Sequence, residues 1–283
     1  MTDDNPYDLL GDDNDDGQRW AFGTGFTDAL AGMDTTVPPD VEPAALARYC
    51  LALGDDALVY SHRLQQWITR MPELEEETAL ANVALDLLGQ ARMLLARAGG
   101  ILDRSEDDLA FFRTEGEFRN VRLVERADRD FAELMARLLV FSTWRLALFE
   151  SLATAADPVL AAIAGKGVKE LTYHRDYSAQ WVVRLGDGTE LSHRRMQAAL
   201  DGVWPLLPEL FDDDPDALAG VEPRAVDVVL DTVFATGGLD RPATATLAGV
   251  GGRAGRDGVH TEELGYVLAE LQSVARQHPD ATW

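Results

Sequence analysis

Apolar positions along most of this chain step by threes and fours, the spacing of helices that turn one face inward. From Pro43, the positions Leu46, Cys50, Leu53, Ala57, Tyr60, Leu64 and Ile68 form one such stripe, and Pro43 suits a first helical turn. A second helix follows Pro72, with Leu80, Ala84, Leu87, Ala91, Leu94 and Ala98 inward and Gly99-Gly100 as its expected end. Its opening Glu73, Glu75, Glu76 and Glu77 complement the helix dipole and need no ligand to explain them. Ser105 to Asp108, ahead of Leu109 and Phe111, has the form of a capping box with Asp in the Glu position. A third long helix is expected from Val121 or Ala127 to Ala156, and a fourth from Pro158 to about Gly186. A fifth is expected from Thr189 to Leu210, broken at Pro205 or Pro208. Shorter helices near Glu222–Ala235 and Thr261–Gln277 flank a Gly-rich stretch, Gly249 to Gly258. No segment alternates with period two. The pattern predicts an all-α, up-and-down helical bundle with additional C-terminal helices.

The N-terminal region does not share this pattern. Residues 1–18 hold seven aspartates and no Lys or Arg, too little apolar surface to order a backbone, so a disordered tail is expected. Trp20 to Asp40 is rich in Gly, Thr and Pro and reads as an irregular arm, with Trp20, Phe22 and Phe26 expected to dock on the chain's own body. The chain thus divides into 1–40, tail and arm, and 41–283, the helical domain. Over its full length, 25 Lys+Arg stand against 49 Asp+Glu, a net charge of −24 that repels a phosphate backbone and excludes nucleic acid as a partner. Lys166 and Lys169 are the only lysines, a bias that fits either adaptation to high salt or a GC-rich genome and says nothing about function. The single cysteine, Cys50, rules out an internal disulfide or a CxxC site and reads as core filler. With no uninterrupted apolar run of membrane-spanning length and no basic leader, the expected location is the cytoplasm, away from membranes.

Long bundle helices of this kind often hold a di-iron site, built from one Glu on each of two helices and a Glu-x-x-His pair on each of the other two. Of His62, His174, His193, His260 and His278, only His193 has a glutamate three residues before it, Glu190. That pair lies at a helix start after a Gly-rich connection, so a surface pair is favoured over a metal ligand. His174, beside Tyr173 and Asp176, reads as a hydrogen-bonded bundle histidine. Asp55-Asp56 reads as polar positions on a helix face rather than catalytic carboxylates. Gly249 to Ala254 formally matches GxGxxA but follows no strand, so it reads as a flexible linker or an interface loop.

Several longer blocks carry a family likeness. Leu53-Gly54-Asp55-Asp56-Ala57-Leu58, Pro72 to Glu76, and Ala79 through Arg92 resemble the phenylacetic acid catabolic protein family, in its PaaC type. Lys169 to His174 and His260 to Tyr266 extend the resemblance, which spans roughly Pro43 to Gln277. It implies a ferritin-like fold and membership of the multicomponent ring-1,2-phenylacetyl-CoA epoxidase. It further implies that a catalytic sister subunit carries the di-iron centre, that the PaaC type is its structural partner, and that bridging and reductase subunits complete a hetero-oligomer. The reductase passes electrons from NADPH through flavin and an iron–sulfur cluster. Alone, the chain could form a homodimer. Where subunits of the catalytic type have Asp-Glu-x-Gly-His, this chain has Asp86-Leu87-Leu88-Gly89-Gln90, so Leu87 and Gln90 replace Glu and His. Where the fourth helix would carry Glu-x-x-His it has Leu171-Thr172-Tyr173-His174, keeping only the histidine, and a one-residue shift would place Glu170 there instead. The resemblance therefore implies no metal, cofactor or catalytic residue in this chain. Two other readings stay open: a di-iron oxygenase using Glu190, His193, His174 and carboxylates such as Glu170, and a stand-alone bundle that binds an acyl-CoA.

Overall fold

The computed structural model describes residues 29–71, 73–212, 216–243, 245–247, 249–279 and 281. The acidic tail, Trp20, Phe22, Phe26, Pro72 and Asp213 to Pro215 lie outside the described residues. Among those described there are eight α-helices and no strand, only an isolated bridge between Val250 and Arg253. The described part of the arm meets the body: Leu30 is buried and the Thr35 carbonyl accepts from Arg97 Nη1.

Helix α1 spans Pro43–Ile68, with Pro43 in its first turn and the Glu42 carboxylate accepting from the Ala44 and Ala45 amides. It is buried nearly all round from Leu46 to Leu64, Cys50 included, and burial pushes the Cys50 thiol up to about 12. Helix α2, Leu74–Leu102, opens with Glu75, Glu76 and Glu77. It does not stop at Gly99-Gly100 as expected, but runs on to Leu102 and closes through Asp103 at φ 55°. Gly99 serves close approach instead: a Cβ there would lie 2.3 Å from the Arg104 carbonyl oxygen as the chain turns back. Helix α2 is long and apolar enough to cross a membrane by length and composition. In the fold it is a bundle helix, its stripe from Leu80 to Ala98 buried.

The capping box forms at α3, Glu106–Phe111, where Ser105 Oγ accepts from the Asp108 amide and Asp108 accepts from the Ser105 amide. Helix α4, Phe131–Leu152, starts later than expected because the Asp130 side chain caps it, accepting from the Glu133 amide. The preceding segment is irregular, with 3-10 turns at Glu115–Glu117 and Arg122–Val124. Helix α5, Pro158–Gly186, is capped by Asp157. Helix α6, Glu190–Val203, passes at Trp204 into a 3-10 stretch that contains Pro205 and Pro208, the expected break. Helices α7 (Pro223–Gly237) and α8 (Glu262–Gln277) complete the chain.

Four helices make the bundle. Ser61 donates to the Ala84 carbonyl and Gly54 faces Leu95, so α1 and α2 run antiparallel. Asp86 meets His174 while Arg97 meets Asp157, so α2 and α5 are antiparallel too. Phe131 packs edge-on to Trp181 and Phe149 faces Gly167, which sets α4 against α5, and Tyr60 meets Phe141 at 4.8 Å to bring α1 against α4. Helices α2 and α4 therefore point the same way, and the connection between them is the single long crossover of a ferritin-like fold. Helices α6 and α7 pack on α4 and α5, and α8 lies across α1 and α3.

Candidate functional site

The four positions on α2 and α5 that the sequence resemblance singles out are all inside. Leu87, Gln90, Leu171 and His174 are each fully buried. The two leucines offer no donor atom. Gln90 is committed at both ends: its Oε1 accepts from Arg145 Nε at 3.0 Å, and its Nε2 donates to Glu170 Oε2 at 3.0 Å. His174 Nε2 lies 3.0 Å from Asp86 Oδ2, while its Nδ1 has no partner among the described residues. Asp86 and Glu170 sit at the outer edge of the α2–α5 seam, their side chains 35% and 18% exposed. Glu170 thus reaches the side chain of Gln90, the neighbourhood that the one-residue shift would give it.

Arg145 comes from α4, where it is the only charged residue between Leu138 and Phe149, and its side chain is wholly buried. Besides Gln90 it reaches the Leu53 carbonyl of α1, Nη2 to O 3.2 Å. Its guanidinium carbon stands 4.5 Å from the Phe149 ring centre and 5.6 Å from that of Phe141. Burial pulls it down to about 10, against the pull of Asp56, so it remains a cation at neutral pH. Sequence reasoning missed it, although a lone arginine in a largely apolar helix is a legible signal. Among the described residues, no three His, Cys, Asp or Glu side chains converge as metal ligands would.

This frame can be set beside known proteins. The model of the phenylacetic acid catabolic protein family matches residues 30–283. The chain belongs to this family. It is similar to the C subunit of 1,2-phenylacetyl-CoA epoxidase from Escherichia coli (strain K12), at 40% identity over 245 residues, 84% of this chain and 99% of that protein.

Other residues of the chain depart from the sequence reading or match it. Asp55 and Asp56 are not polar positions on an open helix face: both are fully buried. Asp55 binds the Arg113 guanidinium and the Arg119 amide; Asp56 binds the Arg256 guanidinium and the Val121 amide. They clamp the α3–α4 connection and the Gly-rich stretch onto α1, contacts between residues far apart in sequence. The second half of the Gly-rich stretch, from Ala254, is accordingly packed rather than a free linker, while Val250 to Arg253 are exposed. Gly255 donates to Glu209 Oε1, and a Cβ on it would lie 2.1 Å from the Asn120 carbonyl oxygen. Glu190 and His193 both lie in the first turn of α6 but bond to different partners, and His193 is half-buried. Glu190 is exposed and bound to Arg194, while His193 Nδ1 meets the Gly186 carbonyl.

A second buried cluster went unread. Glu125 and His260 are wholly buried side chains, with Nδ1 2.7 Å from Glu125 Oε1 and Nε2 3.0 Å from the Phe118 carbonyl oxygen. Both ring nitrogens face acceptors, so both are satisfied only in the imidazolium form. Burial works against that charge, but Glu125 and the Phe118 carbonyl outweigh it and hold His260 above the usual histidine range. Glu125 also takes the Thr261 amide and hydroxyl, which fixes the start of α8. A cavity of roughly 780 Å³ opens between α1, α4 and the loops near Asp216 and Arg256. Its described lining sets Glu209, Asp212, Asp216 and Asp257 against Arg256, already paired with Asp56, a poor match for coenzyme A phosphates.

Proposed function

We propose that this chain is the PaaC-type subunit of a phenylacetyl-CoA ring-epoxidising monooxygenase in aerobic phenylacetate degradation, and that its part there is structural rather than catalytic. The observation that carries the reading is the state of the four ligand-level positions. Leu87 and Leu171 have no donor, and Gln90 and His174 are engaged by Arg145, Glu170 and Asp86. A di-iron pair needs carboxylates at the places of Leu87 and Leu171 and free histidines at those of Gln90 and His174, because the carboxylates offset its charge inside a bundle. The available donors do not fit it. In this reading the iron resides in the catalytic sister subunit, and the flavin and iron–sulfur cluster in the reductase. This chain, with no cofactor of its own, supplies a rigid helical body on which the catalytic and bridging subunits assemble in the cytoplasm. Replacing buried carboxylates by leucine removes a desolvation cost that metal would otherwise offset, which favours such a scaffold. The ferritin-like body begins at about residue 41, with residues 1–40 as an appendage.

The test is to express the chain alone and together with its partner subunits, then measure mass and iron per chain. A hetero-oligomer with iron only when the catalytic sister is present is expected. Near-stoichiometric iron in the isolated chain, with an oxidase-type absorbance, would sink the structural reading.

A further inference from the structure

Arg145 is an expensive residue to keep. A guanidinium sunk in a helix that is otherwise uncharged over Leu138–Phe149 gives up its hydration, and a buried charge is often replaceable by an apolar side chain without loss. What it makes in return is a junction of all four bundle helices. It springs from α4, donates to the Leu53 carbonyl of α1 and to Gln90 of α2, and through Gln90 reaches Glu170 of α5. The space around it is shaped to match. A Cβ on Gly167 of α5 would stand 2.6 Å from Phe149, whose ring lies against the guanidinium, and 3.4 Å from Gln90 Nε2.

A metal pair in a ferritin-like bundle draws donors from the same four helices and places positive charge among them. We propose that Arg145 is the resident cation of this bundle, doing with its guanidinium the four-helix tying that a metal pair does elsewhere, and that it closes the interior to metal even when ligands are supplied. The first part follows from its hydrogen bonds. The second follows from charge: a divalent ion beside Gln90 would meet a fixed cation in a medium that screens poorly, and would have to break the Arg145–Gln90–Glu170 chain to gain a ligand. The inference rests on the interior geometry and goes beyond the scaffold reading, since a chain that lacked ligands for any reason would not need this cation.

Two experiments test it. In the first, Leu87→Glu, Gln90→His and Leu171→Glu are combined, with and without Arg145→Met, and folding is checked by circular dichroism. Each protein is given cobalt(II), gel-filtered, and read by visible absorbance and metal per chain. The set that keeps Arg145 should retain at least about tenfold less cobalt than the set without it. Equal retention, or retention by neither folded protein, overturns the exclusion. The second experiment does not require the multiple variants to fold. Arg145→Met, Gln90→Leu and the pair together are compared by thermal unfolding. Each single change should lower the melting temperature, and the double variant should melt no lower than the worse single. Losses that simply add would overturn the tie.

Discussion

Asp55→Ala would leave the Arg113 guanidinium buried without its carboxylate. Asp55 is fully enclosed and accepts from Arg113 Nη1 at 2.9 Å, from Arg113 Nη2, and from the Arg119 amide at 2.9 Å. Removing one partner of such a pair costs about 3–5 kcal/mol, because the surviving charge has lost its water as well as its partner. Arg113 would keep the carbonyls of Leu109 and Glu117 and the Phe118 ring, whose centre is 4.2 Å from its guanidinium carbon. The lower end, about 3 kcal/mol, is therefore expected. At about 2–4 °C per kcal/mol for a domain of this size, the melting temperature should fall by roughly 6–12 °C. Thermal unfolding followed by far-ultraviolet circular dichroism reads this directly. Asp176→Ala is the control, since its bond to Arg175 is on the surface and such pairs contribute about 0–1 kcal/mol. Asp55→Leu with Arg113→Met should recover most of the loss, because no charge is then stranded, although the Arg119 amide stays unmatched. An Asp55→Ala protein that melts no lower than Asp176→Ala would refute the buried-clamp argument.

The remaining predictions concern the second buried cluster and two glycines. Because His260 titrates higher in the folded chain than in the unfolded one, its contribution is complete below about pH 6.5 and is lost as pH rises through the folded value. Urea unfolding across that range should show a decline in the parent that is flatter in His260→Gln; identical slopes would disprove the linkage. Gly167→Ala should destabilise by about 1–3 kcal/mol despite the better helix propensity of alanine, since the new Cβ would meet Phe149 at 2.6 Å. Gly89→Ala, with nothing within 4 Å of its Cβ, should instead stabilise by up to about 1 kcal/mol. Equal and same-signed shifts in the two melting curves would contradict the packing argument.

The helices were legible because their signals are local. Pro43 and Pro158 opened α1 and α5, and Ser105 with Asp108 capped α3, as read from spacing alone. The misreadings share a cause. Gly99-Gly100 looked like a helix stop, but glycine marks either a left-handed turn or a close approach, and only the returning Arg104 carbonyl decides between them. The start of α4 was displaced because apolar spacing continued through Val121–Val124, although those residues are held in a 3-10 turn near the Asp56 and Glu125 anchors.

The candidate site divides in the same way. Spacing alone pointed only to Glu190 and His193; it was the family resemblance that marked Leu87, Gln90, Leu171 and His174 as the positions to inspect. It could not say what Gln90 would meet, since Arg145 lies 55 residues from it in the chain. Asp55 and Arg113, or Glu125 and His260, likewise meet across 58 and 135 residues. By itself, then, the sequence determined most of the helices, the acidic balance of the chain and the apolar or neutral character of Leu87, Gln90 and Leu171. The tertiary structure decided which charges are buried and what each one meets. Helix propensity and capping act within a few residues, whereas a buried charge is tolerated only where distant segments converge to pair it.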